Sequence, residues 1–374
     1  MKVIQMLPEL NSGGVERGTL EVGKYLVENG HDSIVISNGG RLVRQLENEG
    51  SRHIELPVHK KRLSSLRQIA VLRQIFEQEK PGILHLRSRL PAWLAYLAWR
   101  KMDPKNRPRL ITTVHGFNSV NAYSAIMTKG ERVICVSECV KNYVLKNYPK
   151  VPSSRIRVIH RGVDPKELSC AYRPSLEWQD RWYRDFPETK GKFLITLPGR
   201  ITRLKGHEDL IQLMAVLPKE QAIHAIIAGG AEAKKASYLA ELHALAKKYG
   251  IAERLTFAGH RTDMKEVLAL SDVVLSLSQK PESFGRTTLE ALCLGRPVLG
   301  YNHGGVGEIL QHLFPHGLIP FGDISSLQNT ILEWFSATPC PVIENPFTLD
   351  VMLRETLAVY SELFLQQNDE QRLR

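Results

Sequence analysis

The chain has 374 residues, 43% of them hydrophobic and 24% charged, the proportions of a globular protein long enough for two domains. No run approaches the ~18 apolar residues that span a bilayer. The opening Met1–Pro8 is too short in its apolar stretch for a signal peptide and reads as a first strand. Net charge is +11 but uneven: residues 1–165 hold 27 Lys/Arg against 14 Asp/Glu, and the remainder holds 23 against 25.

Strand-like runs are expected at Val3–Leu7, Ser33–Ser37, His53–Leu56, Ile83–Leu86, Leu110–Val114, Arg132–Val136 and Ile156–His160. Helical patterns lie between them, such as Val15–Asn29 and Ser65–Gln78. A second series follows at Phe193–Leu197, Ala225–Ala228, Leu255–Ala258, Val273–Leu277, Pro297–Gly300 and Leu318–Pro320. Strict alternation predicts parallel sheets with helices on both faces, and two series predict two such sheets. The domains are therefore expected at 1–165 and 190–345, with a Pro- and Trp-bearing linker at 166–189. The last helix, about Thr348–Gln366 within the tail 348–374, has no strand after it and is free to pack back on the first domain.

The basic surplus on one half predicts an acidic partner by long-range attraction. Candidates are an anionic membrane, a phosphorylated lipid or a nucleic acid. The basic residues lack the aromatic-interleaved strand pattern of nucleic-acid binders, so no nucleic acid is expected. Five cysteines (Cys135, Cys139, Cys170, Cys293, Cys340) are odd in number and lack zinc spacing. Reduced, buried thiols of a cytoplasmic protein, and no metal site, are expected.

Ligands of parallel sheets bind where strands end and helices begin, and four such junctions stand out. After the first strand comes Asn11-Ser-Gly-Gly-Val-Glu-Arg17-Gly18, whose glycines at 13, 14 and 18 miss the Gly-x-Gly-x-x-Gly fingerprint. A flexible Gly-Gly turn at a helix start remains, suited to close approach by phosphate or sugar, or else an ordinary tight turn. The second is Leu197-Pro-Gly-Arg200-Ile-Thr-Arg-Leu-Lys205-Gly206, where a guanidinium and an ammonium meet the demands of a diphosphate. Cations at a helix start oppose the macrodipole unless an anion is bound. The third, Thr112-Thr-Val-His115-Gly116, puts a histidine at a strand tip. Arg87, Arg89 and the run His59-Lys-Lys-Arg62 are further basic groups that could grip an acidic acceptor.

The fourth junction is the most informative. Glu282-Ser283-Phe284-Gly285-Arg286-Thr-Thr-Leu-Glu290 follows a buried-strand run and opens a short helix. Backbone amides at Phe284 to Arg286 would face an anion, and two carboxylates could hold vicinal hydroxyls of a sugar and a ribose. Thr287 and Glu290 also fit a Thr-x-x-Glu capping box, which leaves site and cap both open. No Asp-x-Asp occurs, so the usual way of holding a divalent ion against a nucleotide diphosphate is missing.

In combination these motifs resemble the retaining, family-4 glycosyltransferases of the GT-B fold (glycosyl transferases group 1), over nearly the full length and most densely in residues 193–310. They are Gly13-Gly14, Val136-Ser137, Val158-Ile-His-Arg-Gly-Val-Asp164, Gly199-Arg200 with Lys205-Gly206, Ala228-Gly-Gly230, Phe257-Ala-Gly-His-Arg261, and the glutamate pair with Gly295-x-Pro297. The resemblance implies two doubly wound, Rossmann-like domains facing across a cleft, with acceptor on the first and nucleotide-sugar on the second. It implies that Glu290 holds the ribose. Glu282, with Ser283 and the amides of Phe284 and Gly285, holds the sugar beside Arg286. Arg200 and Lys205 neutralise the diphosphate, Gly14 approaches it, Arg261 lies near the base and His115 near the sugar. His160-Arg161 stands where the family often has Pro-Asn, a departure expected to bear on the hinge alone.

The implied activity is metal-independent transfer of a hexose from a nucleotide-sugar, a UDP-sugar by preference, with no further cofactor. The expected acceptor is an acidic glycolipid or phosphorylated saccharide such as lipopolysaccharide core, gripped by Arg87 and Arg89. The enzyme would sit peripherally on the inner face of the cytoplasmic membrane. A nucleotide-sugar 2-epimerase of the same fold, or a non-catalytic nucleotide-sugar binding protein, are the alternatives.

Overall fold

A computed structural model describes residues 1–11, 13–60, 62–231, 236–341 and 343–372; Ser12 of the first glycine loop and Lys61 of the basic run lie outside the described residues. The elements run β1 (Lys2–Met6), α1 (Gly14–Glu28), β2 (Asp32–Ser37), α2 (Val43–Asn48), β3 (Arg52–Glu55), α3 (Gln68–Glu79), β4 (Ile83–Leu86), α4 (Arg89–Arg100), β5 (Arg109–Val114), β6 (Arg132–Cys135), α5 (Glu138–Asn147) and β7 (Ile156–Val158). Then come α6 (Leu176–Asp185), β8 (Phe193–Pro198), α7 (His207–Val216), β9 (Ile223–Ala228), α8 (Ala236–Lys248), β10 (Leu255–Gly259), α9 (Met264–Leu270) and β11 (Val273–Ser276). The series closes with α10 (Arg286–Cys293), β12 (Val298–Tyr301), α11 (Gly304–Leu313), β13 (Leu318–Ile319), α12 (Ile324–Ser336) and α13 (Leu349–Arg372).

Every expected strand forms, with ends within two residues of the sequence reading. Seven strands make one sheet in the order β3-β2-β1-β4-β5-β6-β7, and six make another in the order β10-β9-β8-β11-β12-β13. All printed pairings in both are parallel, for instance Val3 with Ile83 and Val274 with Val298. Strands such as Ile83–Leu86 and Ile223–Ala228 are buried along their whole length. Coverage on both faces is why they read as continuous apolar runs and not as alternation. In each sheet the strand order reverses beside the first strand, between β1 and β4 and between β8 and β11. Such reversals leave a crevice at the carboxyl ends of the strands.

The chain divides into two compact units, residues 1–161 with 350–374, and residues 162–349. Residues 166–189, expected as a linker, are instead part of the second unit. Ser175 caps α6 through a 3.2 Å bond from Trp178 N, and Trp178 and Trp182 stack 5.3 Å apart in a core with Leu194, Ile226 and Val267. Within the same unit the entering chain pairs with the leaving one: Val163 N donates to Phe347 O at 3.1 Å and Leu349 N to Val163 O at 2.9 Å. A Cβ on Gly162 would stand 2.2 Å from Thr348 O, so only glycine fits there.

Helix α13 belongs to the first unit. Met352, Tyr360 and Leu363 are buried, and Glu362 pairs with Arg132 and, at 3.5 Å, with Arg157. Of the five free thiols Cys135 is buried, Cys139 and Cys293 are partly buried, and Cys170 and Cys340 are exposed, so the expected burial holds for some of them and fails for these two. Among the described residues no helix is long and apolar enough to cross a membrane.

Candidate active site

In the second unit the loops after β8 and β11 meet at the point where the strand order reverses. Gly206, at a left-handed φ of 75°, ends the first loop and starts α7. A Cβ there would lie 2.0 Å from Leu277 O, so glycine is what lets the loop close on β11. Gln279 N then donates to Leu204 O at 2.8 Å, tying the two loops together. Lys205 runs back across Gly199, whose Cβ would stand 3.2 Å from the lysine Cε. The Lys205 ammonium reaches Glu282 Oε1 at 2.7 Å, and Ser278 Oγ donates to the same oxygen.

The Glu282 loop is held from below by α11. Gly305 N donates to Glu282 O at 2.7 Å, and a Cβ on Gly304 or Gly305 would run into the backbone of Glu282 or Phe284. Phe284 is buried and packs edge-on against Phe347 at 5.9 Å. His303 Nε2 lies 2.8 Å from Ser278 O and adds its field at Glu282. Burial raises the Glu282 carboxyl, but Lys205, Ser278 and His303 together outweigh it, so its pKa falls below the ordinary value. The group is a carboxylate at neutral pH.

Helix α10 starts at Arg286 with Gly285 as its cap, at φ 93°. Thr287 is therefore inside the helix, and the Thr-x-x-Glu capping box is not what Glu290 forms. Glu290 instead takes Arg286 Nε at 3.2 Å, one turn back. No cap side chain bonds the starts of α7, α10 or α11, whereas Ser137, Ser175 and Asp323 do cap α5, α6 and α12. Those three starts follow β8, β11 and β12, which are neighbours in the sheet; the starts of α1, α2, α3, α4 and α9 likewise have no side-chain cap bond. The amide groups and dipoles of α7, α10 and α11 favour an anion.

The remaining candidates divide between those the fold brings together and those it does not. Arg200 is exposed just past β8, near Gly229, whose Cβ would stand 3.1 Å from Arg200 N. Arg261 sits past β10, where it pairs through two bonds with Asp263 and lies 5.3 Å over the Trp182 ring. Asp209 accepts from Gln279 Nε2 at 2.7 Å and from Tyr301 Oη, bracing α7 against the loop after β11 and against β12. His207, at the start of α7, is fully buried, and that burial pulls its pKa down to about 4. Sequence reasoning missed Ser278, Asp209 and His303. His303-Gly-Gly after a strand repeats the pattern of Gly13-Gly14 and could have flagged the last.

In the first unit Gly14 opens α1, and a Cβ there would meet nothing within 4 Å. Arg87, expected as a surface grip for an acceptor, is only 3% exposed and bonds Tyr360 of α13. Burial lowers its pKa, and its Nε has no partner among the described residues. Arg89 is half-buried, donating to Ser124 Oγ at 3.1 Å above the Tyr123 ring. His115 stands past β5 with Arg161 Nη2 at 2.7 Å from Nδ1, so the departure at residue 161 reaches the candidate histidine and is not confined to a hinge. Among the described residues no three His, Cys, Asp or Glu side chains converge as metal ligands.

Residues 12–167 match the family described as Glycosyltransferase Family 4, and residues 179–340 that described as Glycosyl transferases group 1. A glycosyltransferase from Rickettsia africae ESF-5 is 30% identical, with a TM-score of 0.85 over 97% of this chain and 98% of that one. The chain belongs to the group 1, family-4 glycosyltransferases. Its two parallel sheets are those of the GT-B fold, and it is a glycosyltransferase. N-acetyl-alpha-D-glucosaminyl L-malate synthase of Bacillus anthracis is 25% identical over 88% of this chain and 86% of its own length. Anabaena HepE in complex with UDP shares the fold at a TM-score of 0.75 and 20% identity, over 100% of this chain and 98% of that one.

Proposed function

We propose that the enzyme moves a hexose from a UDP-sugar to a hydroxyl of an acidic, membrane-associated acceptor of the lipopolysaccharide-core kind. The observation that carries this reading is the second-unit corner itself: Lys205 on Glu282, beside three helix starts whose N-cap residues Gly206, Gly285 and His303 make no side-chain bond. Arg200, Lys205 and those amides take the diphosphate, with no metal called upon. Glu282, with Ser283 and the amides of Phe284 and Gly285, takes the sugar hydroxyls, and Glu290 with Arg286 the ribose. Arg261 borders the base, while Gly14 leaves room for close approach. The base preference rests on the Anabaena protein's complex with UDP.

The acceptor oxygen attacks the anomeric carbon from the face that the phosphate leaves. As the glycosidic C–O bond forms, the sugar–phosphate bond breaks, the acceptor proton passes to the departing phosphate oxygen, and UDP is released. Configuration is retained without a covalent intermediate. The protein contributes fixed charge on the leaving group and exclusion of water. An acidic acceptor fits the surplus of 13 positive charges in residues 1–165, and the Bacillus relative's name pairs its sugar with malate, a dicarboxylic acid.

A panel of UDP-, GDP-, ADP- and CMP-sugars in thermal unfolding tests the donor, since a true donor raises the melting temperature by mass action. UDP-sugars are expected to win, and an unshifted panel overturns the reading. UDP release should then require a phosphorylated glycolipid acceptor. Conversion of UDP-GlcNAc by the enzyme alone would instead point to the epimerase.

A further inference from the structure

An anion is expected at the start of α7, yet the first turn of that helix carries Glu208 and Asp209. Carboxylates there serve the helix dipole themselves and repel a second anion. Glu208 is taken up at the surface by Arg203 at 3.2 Å. Asp209 turns inward, and its Oδ2 accepts from Gln279 Nε2 at 2.7 Å and from Tyr301 Oη. Tyr301 is fully buried, and burial together with Asp209 raises its pKa, so it stays a hydroxyl and donates.

The two donors are neighbours of the groups that hold Glu282. Gln279 follows Ser278, whose hydroxyl donates to Glu282 Oε1. Its N–H donates to Leu204 O at 2.8 Å, next to Lys205, whose ammonium reaches the same Glu282 oxygen at 2.7 Å. Tyr301 stands two residues before His303, whose Nε2 lies 2.8 Å from Ser278 O. One carboxylate oxygen therefore ties together the loop into α7, the loop after β11 and the end of β12. Each of these contributes one group around Glu282. Lys205 and His303 are the charged or titratable groups bearing on that carboxyl, and with Ser278 they outweigh its burial.

We propose that Asp209 is a positioning residue: through Tyr301 and Gln279 it holds Lys205, Ser278 and His303 in register on Glu282, without touching the donor itself. This rests on the transferase reading and accounts for an acid at that helix start. Asp209→Ala releases both donors, whereas Tyr301→Phe removes one hydroxyl and keeps the buried ring. Carbon-13 NMR of the glutamate carboxyls, with Glu282→Gln supplying the assignment, reads the outcome without substrate. Wild-type Glu282 should titrate below 4.5. In both variants the three groups drift from it while its burial remains, so its titration should move upward, further in Asp209→Ala. The acid limb of kcat should move up with it. At neutral pH kcat should fall roughly tenfold in Asp209→Ala, with KM for the donor changed by less than about threefold. Asp209→Asn, which keeps an acceptor oxygen, should recover part of that loss. A brace with a purely structural role would lower the melting temperature and leave the pH profile of the surviving activity where it was. An unmoved Glu282 titration in Tyr301→Phe, the variant that disturbs the fold least, overturns the proposal, as does a loss confined to KM. Failure of nucleotide-sugars to bind would instead strike at the transferase reading, because the carboxyl is titrated without them.

Discussion

Glu282 sits under opposing demands. Burial favours its neutral form, while Lys205, Ser278 and His303 favour the carboxylate and prevail. A carboxylate whose folded pKa lies below its unfolded one adds stability that is complete above the ordinary value of 4.5 and disappears as pH falls through the lower, folded value. Glu282→Gln should therefore be less stable than the wild type by about 1 kcal/mol at neutral pH. Urea titrations should show that gap narrowing as the pH falls below 4.5. On the proposed assignment the same substitution removes the charge meant for the sugar and leaves Lys205 and Arg200 for the diphosphate. It should lower kcat about hundredfold while UDP still raises the melting temperature; loss of UDP binding along with turnover would assign Glu282 to the nucleotide and not to the sugar. The glutamate pair was legible as a motif, but its partners were not. Ser278 and His303 reach it only because α11 packs under the loop through Gly304 and Gly305, a closeness that linear spacing does not encode.

At the scale of elements, what places the cationic loop is the fit of α7 against β11. Gly206 supplies both the left-handed φ and the missing Cβ, with Leu277 O 2.0 Å from where that carbon would be. Gly206→Ala should cost about 2–4 kcal/mol, since backbone strain and a clash with backbone add, and it should weaken UDP binding by swinging Lys205 off Glu282. A melting temperature within one degree of the wild type would show that the loop closes by another route. The strands were legible because a parallel sheet covered on both faces selects unbroken apolar runs. Helix α6 was not, because eight of its ten residues are not buried, and its polar sequence reads as a connector. Only two tryptophans, Trp178 and Trp182, commit it to the second unit, and their partners lie far along the chain in Leu194, Ile226 and Val267. Arg87 failed as a surface candidate for a related reason: Tyr360, which buries it, arrives from α13 almost three hundred residues later.

Across the whole molecule, charge is segregated: residues 1–165 carry a surplus of 13 positive charges, and the remainder is slightly acidic. The basic residues in that stretch are not all available to a partner, since Arg87 is buried and Arg109 and Arg132 are spent on Glu131 and Glu362. Enough remain to matter, because a basic side chain near an anionic leaflet contributes about 1 kcal/mol. The enzyme should therefore cosediment with vesicles containing phosphatidylglycerol and not with phosphatidylcholine alone. Screening sets the form of the result, for the Debye length shrinks from about 10 Å at 0.1 M salt to about 3 Å at 1 M. Vesicle binding should accordingly be lost as salt approaches 1 M. Equal partition onto neutral and charged vesicles would leave the surplus without a role at a membrane and would point to a small, freely diffusing acidic acceptor.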